Sequence, residues 1–218
     1  MGEKASANPE RTGDTRQRLL LSALHLYAQE GLHGVSLRRI AVEAGSKNSA
    51  AMHYHFDNKL GVIRALVKMI ARELTLLDAD LRLVSDKPGT LHEGFRQTLL
   101  PLVKLPGHQS WGTDAVHFLS RLVSEGDAEI AAMIDEVLAP FWQRLDRALA
   151  GELPGLPSSV RRLRLLFMTT NVIHGTAEAA WLNYAPLGEV SDFDEEELLD
   201  HLVDYLIGGL CAPSTQGR

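Results

Sequence analysis

Apolar residues recur along most of the chain at three- and four-residue spacing, and no stretch alternates with period two over a useful length. The pattern predicts an all-α fold without a sheet. The first helix is expected to begin near Thr12 or Asp14 and run to Glu30, with Leu20, Ala23, Leu24 and Tyr27 buried and Gly31 as its stop. Ser36 can then cap a short helix whose apolar face repeats at Leu37, Ile40, Ala41 and Ala44, and Gly45 ends it. Ser46, Lys47 and Asn48 form a polar turn in which Asn48 offers a second cap. Beyond it Met52 and Phe56 share one side of another short helix, so that Ala50 and Tyr54 face outward.

Two short helices around a tight polar turn, the second with polar and aromatic residues on its free face, make a helix-turn-helix layout, which places a recognition helix in a DNA major groove. Helices this short are marginal alone and need the first helix to pack on. Arg38 and Arg39, with Lys59, are candidates for phosphates; Ser36 belongs to the same unit as its cap. Lys47, Asn48, Ser49, Ala50, His53 and Tyr54 are candidates for the groove, and His55 for packing beside Phe56 or touching a phosphate.

The residues Ser36, Arg38, Ile40, Ala41, Ala44 and Gly45, followed by Tyr54-His55-Phe56 and Lys59, resemble the N-terminal DNA-binding domain of the TetR family of bacterial transcriptional regulators. The similarity covers roughly the first third of the chain. Between Gly45 and Phe56 there is one more residue than in the family's commonest version, and Tyr54 stands two positions before the Phe rather than three, so the base-reading positions stay open. The resemblance implies a homodimer on double-stranded operator DNA, a divergent helical C-terminal domain for a small-molecule effector, and repression relieved by that ligand.

Asp57 or Asn58 is expected to cap a long helix from Lys59 to about Val84, a connecting rod between two lobes, and Asp86 to Thr90 to form a turn. Further helices are expected near Leu91–Val103, Gly112–Ser124, Asp127–Ala150, Ser159–Tyr184 and Asp194–Ile207, with turns at Pro106-Gly107-His108 and over residues 151–159 and a kink or split at Pro140. The organisation this implies is a disordered arm over 1–11, a DNA-binding unit over 12–72, a helical effector and dimerisation domain over 73–210, and a tail over 211–218.

In that second domain Trp111, His117, Phe118, Phe141, Trp142, Phe167, Asn171 and His174 are candidates to line a mostly apolar pocket, although each taken singly reads more readily as plain core. Asn171 and His174 stand out as polar groups on an apolar helix that need partners. Leu163, Leu166, Thr170, Ala177 and Trp181, with Leu198, Leu202 and Tyr205 of the last helix, form stripes that would pair across a two-fold axis as a four-helix bundle. Burial of those stripes within one chain is the alternative.

Composition sharpens this picture in one respect. The net charge of −6 over 218 residues argues against a nucleic-acid partner only if it is evenly spread. It is not: residues 1–72 hold 11 Lys and Arg against 6 acids, a surplus of +5 that leaves −11 for the remainder. A basic lobe joined to an acidic one suits a protein that meets phosphates with its N-terminal part. No apolar run approaches the ~20 residues of a membrane span and the polar N-terminus lacks a signal-peptide core, so the protein is expected in the cytoplasm, away from membranes. The single cysteine, Cys211, excludes an intramolecular disulfide and a cysteine-based zinc cage, and reads as a small, partly buried apolar residue.

No cofactor or metal is expected. There is no Gly-rich phosphate loop, GxSxG elbow or HExxH, and although Asn171, His174 and Glu178 could share a helical face, a hydrogen-bonded core histidine accounts for them. A catalytic function is therefore not expected. Two other classes remain: a ligand-independent DNA-binding regulator, and an all-helical adaptor for a protein partner.

Overall fold

A computed structural model of the chain describes residues 9–46, 50–82, 90–179 and 194–213, and these are helical with no strand among them. The order is α1 (Pro9–Gly34), α2 (Leu37–Glu43), α3 (Ala50–Phe56), α4 (Lys59–Arg82), α5 (Leu91–His108), α6 (Gly112–Glu125), α7 (Ala128–Glu152), α8 (Ser158–Ala177) and α9 (Glu195–Cys211). Helix α1 begins at Pro9, earlier than expected, because a proline at the first helical position gives up only an N–H that has no intrahelical partner anyway. Gly31 interrupts it as expected, with φ 80° and ψ 172°, before a final turn to Gly34.

The helix-turn-helix is held by local chemistry. The Ser36 Oγ accepts a hydrogen bond from the Arg39 N–H at 3.1 Å and caps α2. At its other end Gly45 adopts φ 70°, and the amides of Gly45 and Ser46 donate back to the carbonyls of Val42 and Ala41 at 3.0 and 2.8 Å. That pattern satisfies the last carbonyls of α2 and turns the chain sharply. Ile40, Ala41, Met52 and Phe56 are buried against Leu20, Leu24 and Tyr27 of α1. The turn residues Lys47, Asn48 and Ser49 lie outside the described residues.

Only Asp57 and Asn58 separate α3 from α4. Asp57 takes φ 65°, and the Asn58 side chain, not that of Asp57, caps α4 by accepting the Gly61 N–H at 2.9 Å. Gly61 lies so close to α3 that an added Cβ would stand 1.9 Å from the Phe56 carbonyl oxygen. The orientation of α3 is thus transmitted rigidly to the long α4.

Elsewhere the structure departs from the expected boundaries. Helix α5 continues through Pro101 and Pro106 to His108, where a turn was expected. Each proline removes one backbone hydrogen bond, and burial of Leu99, Leu100, Pro101 and Leu105 holds the helix across both gaps. Helix α7 likewise passes position 140 without splitting and ends at Glu152. Helix α8 ends at Ala177, well short of Tyr184, and residues 180–193, which include Trp181, lie outside the described set. Thr90 and Asp194 each cap the following helix with a reciprocal Glu three residues on. Cys211 is exposed, not partly buried.

Two hydrophobic cores result. The first joins α1 to α4 with Leu105, with Ala115, Phe118, Leu119 and Leu122 of α6, and with Ile173 and Ala177 of α8. It crosses the boundary expected at residue 72. The second lies among α5, α7, α8 and α9, around Phe95, Leu145, Met168 and Val203. Arg96 ties α5 to α9 by pairing with Asp200 at 2.6 Å and with Glu196.

Substituting Gly61→Ala is expected to destabilise the protein by roughly 1–3 kcal/mol despite the better helix propensity of Ala, because the Phe56 carbonyl cannot move aside. Gly151→Ala, where an added Cβ meets nothing within 4 Å, should be neutral or mildly stabilising. Urea denaturation of the two variants checks both.

Candidate nucleic-acid interface and effector chamber

The outer side of α2 and α3 carries the candidate DNA residues. Arg38 is exposed and makes no ion pair among the described residues, whereas Arg39 pairs with Glu30 of α1 at 3.1 Å. Ala50 and His53 are exposed, and Tyr54 is 78% exposed, the largest free aromatic surface among the described residues of this half. The His53 Nδ1–H donates to the Asp57 carbonyl at 2.9 Å, which orients the ring at the end of α3. His55 packs between Tyr54 and Phe56, with ring centroids at 5.0 and 6.0 Å. Burial, and then the nearby Arg16 guanidinium, push its pKa below the ordinary histidine value. His55 is therefore held neutral at neutral pH, and an imidazolium contact to phosphate is disfavoured there. Lys59 is half-buried, its ammonium 5.9 Å from the centroid of the Tyr27 ring, at the N-terminus of α4.

Farther from that surface, α4, α5, α6, α7 and α8 line a partly open chamber of about 190 Å³. Its apolar wall includes Val67, Ile70 and Leu74 of α4, Leu102 of α5, Leu119 of α6, Phe141 and Trp142 of α7, and Met168, Val172 and Ile173 of α8. Of the residues expected from sequence, Phe141 and Trp142 are present, with their rings in edge contact at 4.8 Å. The others lie elsewhere. Phe118 is fully buried and stacks on Tyr27 at 6.0 Å, and Trp111 packs half-buried against the first core at the start of α6. His117 is half-buried and off the chamber wall. The His174 Nδ1 meets the Ser120 Oγ at 2.8 Å and so bridges α8 to α6, while exposed Asn171 donates to the Phe167 carbonyl. Sequence reasoning missed the contributions of α4 and the polar wall residues Thr75, Asp78, Thr98 and Thr169. The signal was present in α4, whose residues 67, 70, 71, 74, 75 and 78 form one helical stripe extending past the stretch needed for the core.

The candidate dimer residues divide by exposure. Leu163, Leu166, Phe167 and Tyr205 are at least half exposed, an unusual concentration of apolar surface on adjoining helices. Thr170, Leu198 and Leu202 are half-buried, and Ala177 is buried in its own chain within the first core. A groove between α8 and α9, lined by Arg164, Phe167, Asn171, Tyr205 and Gly208, adjoins this surface.

Helix α6 joins the two ends of the molecule. It makes the most extensive helix–helix contact, against α1. Asp114 near its start lies 3.0 Å from His25 Nδ1 and 3.4 Å from Gln29 Nε2; at its end Glu125 Oε2 accepts the Leu32 N–H at 2.7 Å. That amide follows the helix break at Gly31, and the Glu125 carboxylate fills the space where any side chain at Gly31 would project.

An all-helical protein with a helix-turn-helix at one end and an apolar chamber at the other is a ligand-responsive DNA-binding regulator in architecture. Residues 19–66 match the family described as bacterial regulatory proteins, tetR family, and residues 96–209 match the tetracyclin repressor-like C-terminal domain. The chain belongs to the TetR family of transcriptional regulators, with a DNA-binding N-terminal domain and a ligand-binding C-terminal domain. No curated protein matches it in sequence. Among solved structures, a TetR-family regulator from Rhodococcus sp. superposes with a TM-score of 0.60 at 15% identity, over 91% of this chain and 99% of that one. The fatty acid degradation regulator FadR from Bacillus halodurans gives 0.58 at 19% identity (95% and 100% covered), and FadR from Bacillus subtilis in complex with stearoyl-CoA gives 0.59 at 16% (88% and 98%). At these identities the likeness is one of fold. Among the described residues no helix is long and apolar enough to cross a membrane, and no cluster of His, Cys, Asp and Glu could hold a metal ion.

Two outcomes are expected. Because His55 titrates lower in the folded protein than in the unfolded chain, the unfolded state takes up more protons as pH falls through about 6.5. Stability should therefore decline from pH 7 to 5 more steeply in the native protein than in His55→Gln, read from denaturation midpoints. Glu125→Ala leaves the part-buried Leu32 amide without its partner and should cost about 1–3 kcal/mol, with faster hydrogen exchange at Leu32.

Proposed function

We propose that this protein is a transcriptional repressor that binds a palindromic operator as a homodimer and releases it when a small, largely hydrophobic ligand enters the chamber. One observation carries the reading: Val67, Ile70, Leu119 and Ile173 belong both to the chamber wall and to the core on which the helix-turn-helix packs. A ligand that moves these side chains must also shift α4 and α6 against α1, because packed cores rearrange between discrete states more readily than they stretch. Since α3 is held to α4 by a two-residue link, the shift would change the separation of the two recognition helices in a dimer. To release DNA the ligand must favour the non-fitting state, and each ~1.4 kcal/mol of preference changes operator affinity tenfold.

Arg38 and Lys59 would hold phosphates, with Tyr54, His53 and Ala50 toward the groove, and Lys47, Asn48 and Ser49 in the adjoining turn. The dimer would form through the exposed faces of α8 and α9, centred on Leu163, Leu166, Phe167 and Tyr205. An apolar cavity of about 150 Å³ is known to hold benzene, so the chamber suits a ligand of about one substituted ring. That is far smaller than the stearoyl-CoA of the Bacillus subtilis relative.

The test is an operator selected from random DNA by the purified protein, followed by fluorescence anisotropy across a salt series. Tyr54→Ala should weaken binding, and Arg38→Ala and Lys59→Ala should each reduce the salt slope by about one unit. Arg39→Ala should reduce it less, its guanidinium being already paired with Glu30. Compact hydrophobic ligands should raise the melting temperature and lower operator affinity. Failure to select any operator with a folded dimer would count against the reading, as would slopes unchanged in every variant.

A further inference from the structure

The polar side chains of the chamber wall share a chemical property. Thr75, Thr98 and Thr169 each donate the hydroxyl proton to the carbonyl four residues back in their own helix, at 2.8, 2.7 and 2.8 Å. A hydroxyl has one proton and two lone pairs, so each of these threonines has already used its donor and keeps only acceptor capacity. The fourth polar side chain, Asp78, is a carboxylate that accepts when ionised. Against these the wall offers a single side-chain donor among its described residues, the Trp142 indole N–H; Trp142 and Thr169 also line an adjoining outer groove between α7 and α8. Backbone amides of the surrounding helices are engaged in helical hydrogen bonds and add no donors.

We propose, building on the reading of the chamber as the effector site, that it selects compact aromatic ligands carrying an O–H or N–H donor, phenols or anilines, and discriminates against hydrocarbons and ethers of the same shape. Thr98 and Thr169, half-buried on α5 and α8 and both on the chamber wall, are the specificity-determining residues: each hydroxyl oxygen, its own proton committed, is left to receive the ligand's proton. The apolar wall supplies the affinity and the threonine oxygens the choice of functional group. A chamber lacking usable acceptors would behave oppositely, because burying a phenol hydroxyl without a partner costs more than burying a methyl group.

The experiment is calorimetric titration of the full chain with p-cresol, 4-methylanisole and p-xylene, three ligands of nearly equal size. The expected result is p-cresol binding at least about tenfold more tightly than either of the others. In Thr98→Val combined with Thr169→Val that preference should shrink severalfold, Thr75 and Asp78 being left as acceptors, while p-xylene affinity is kept, and Thr98→Ser with Thr169→Ser should retain it in full; thermal melts confirm that both variants are folded. Equal or tighter binding of p-xylene or 4-methylanisole by the native protein overturns the donor selection and leaves the effector chamber standing. A preference undiminished in the valine variant removes Thr98 and Thr169 from it. If none of the three binds, the chamber is not an effector site for compact hydrophobic ligands, and both readings fall together.

Discussion

The contact between α1 and α6 is the constraint on which the rest of the structure depends. It combines an apolar centre, where Tyr27 stacks on Phe118, with polar ties at both ends, from His25 and Gln29 to Asp114 and from the Leu32 amide to Glu125. The helix-turn-helix has little stability of its own, since α2 and α3 are seven residues each. It borrows order from α1, and α1 is in turn seated on the effector domain. Tyr27 sits at the junction with its ring buried and its hydroxyl without a hydrogen-bond partner among the described residues. That burial raises its pKa, and the Lys59 ammonium lies over the ring. The junction therefore binds three elements through one aromatic side chain.

Because the same core reaches from the base of the recognition helix to the chamber wall, the two functional ends of the molecule are parts of one packed body. The chamber is small and mostly apolar, and the three threonines in its wall have committed their hydroxyl protons to their own helices. Affinity in such a site comes from area removed from water, at about 25 cal/mol per Å². Selectivity comes from the few polar atoms that are left a free lone pair. Family membership sets the general arrangement of DNA-binding and ligand-binding domains; the wall chemistry is a property of this chain's residues.

Much of this was legible in the sequence. The cap at Ser36, the glycine stops at Gly31 and Gly45, and the outward Tyr54 all follow from short-range rules, which act within a few residues and need no tertiary context. The helical periodicity assigned nearly every element. Boundaries at prolines were less legible: Pro101 and Pro106 sit inside α5 because burial of neighbouring leucines outweighs two lost backbone hydrogen bonds, a balance set by partners distant in sequence.

What the sequence determined by itself is the all-helical class, the helix-turn-helix and its family, and the division of charge between a basic and an acidic part. Those depend on residue type and near spacing. Tertiary structure alone decided which aromatic side chains face the chamber and which hold α1 to α6, since Phe118 and Phe141 occupy equivalent-looking helical stripes and differ only in what lies opposite. It also decided that Ala177 turns inward while Leu166 remains exposed, that Arg39 pairs with Glu30 while Arg38 makes no ion pair among the described residues, and that His174 meets Ser120. Each of these is a choice between two equally apolar or equally charged neighbours, and only the packing of helices far apart in the chain distinguishes them.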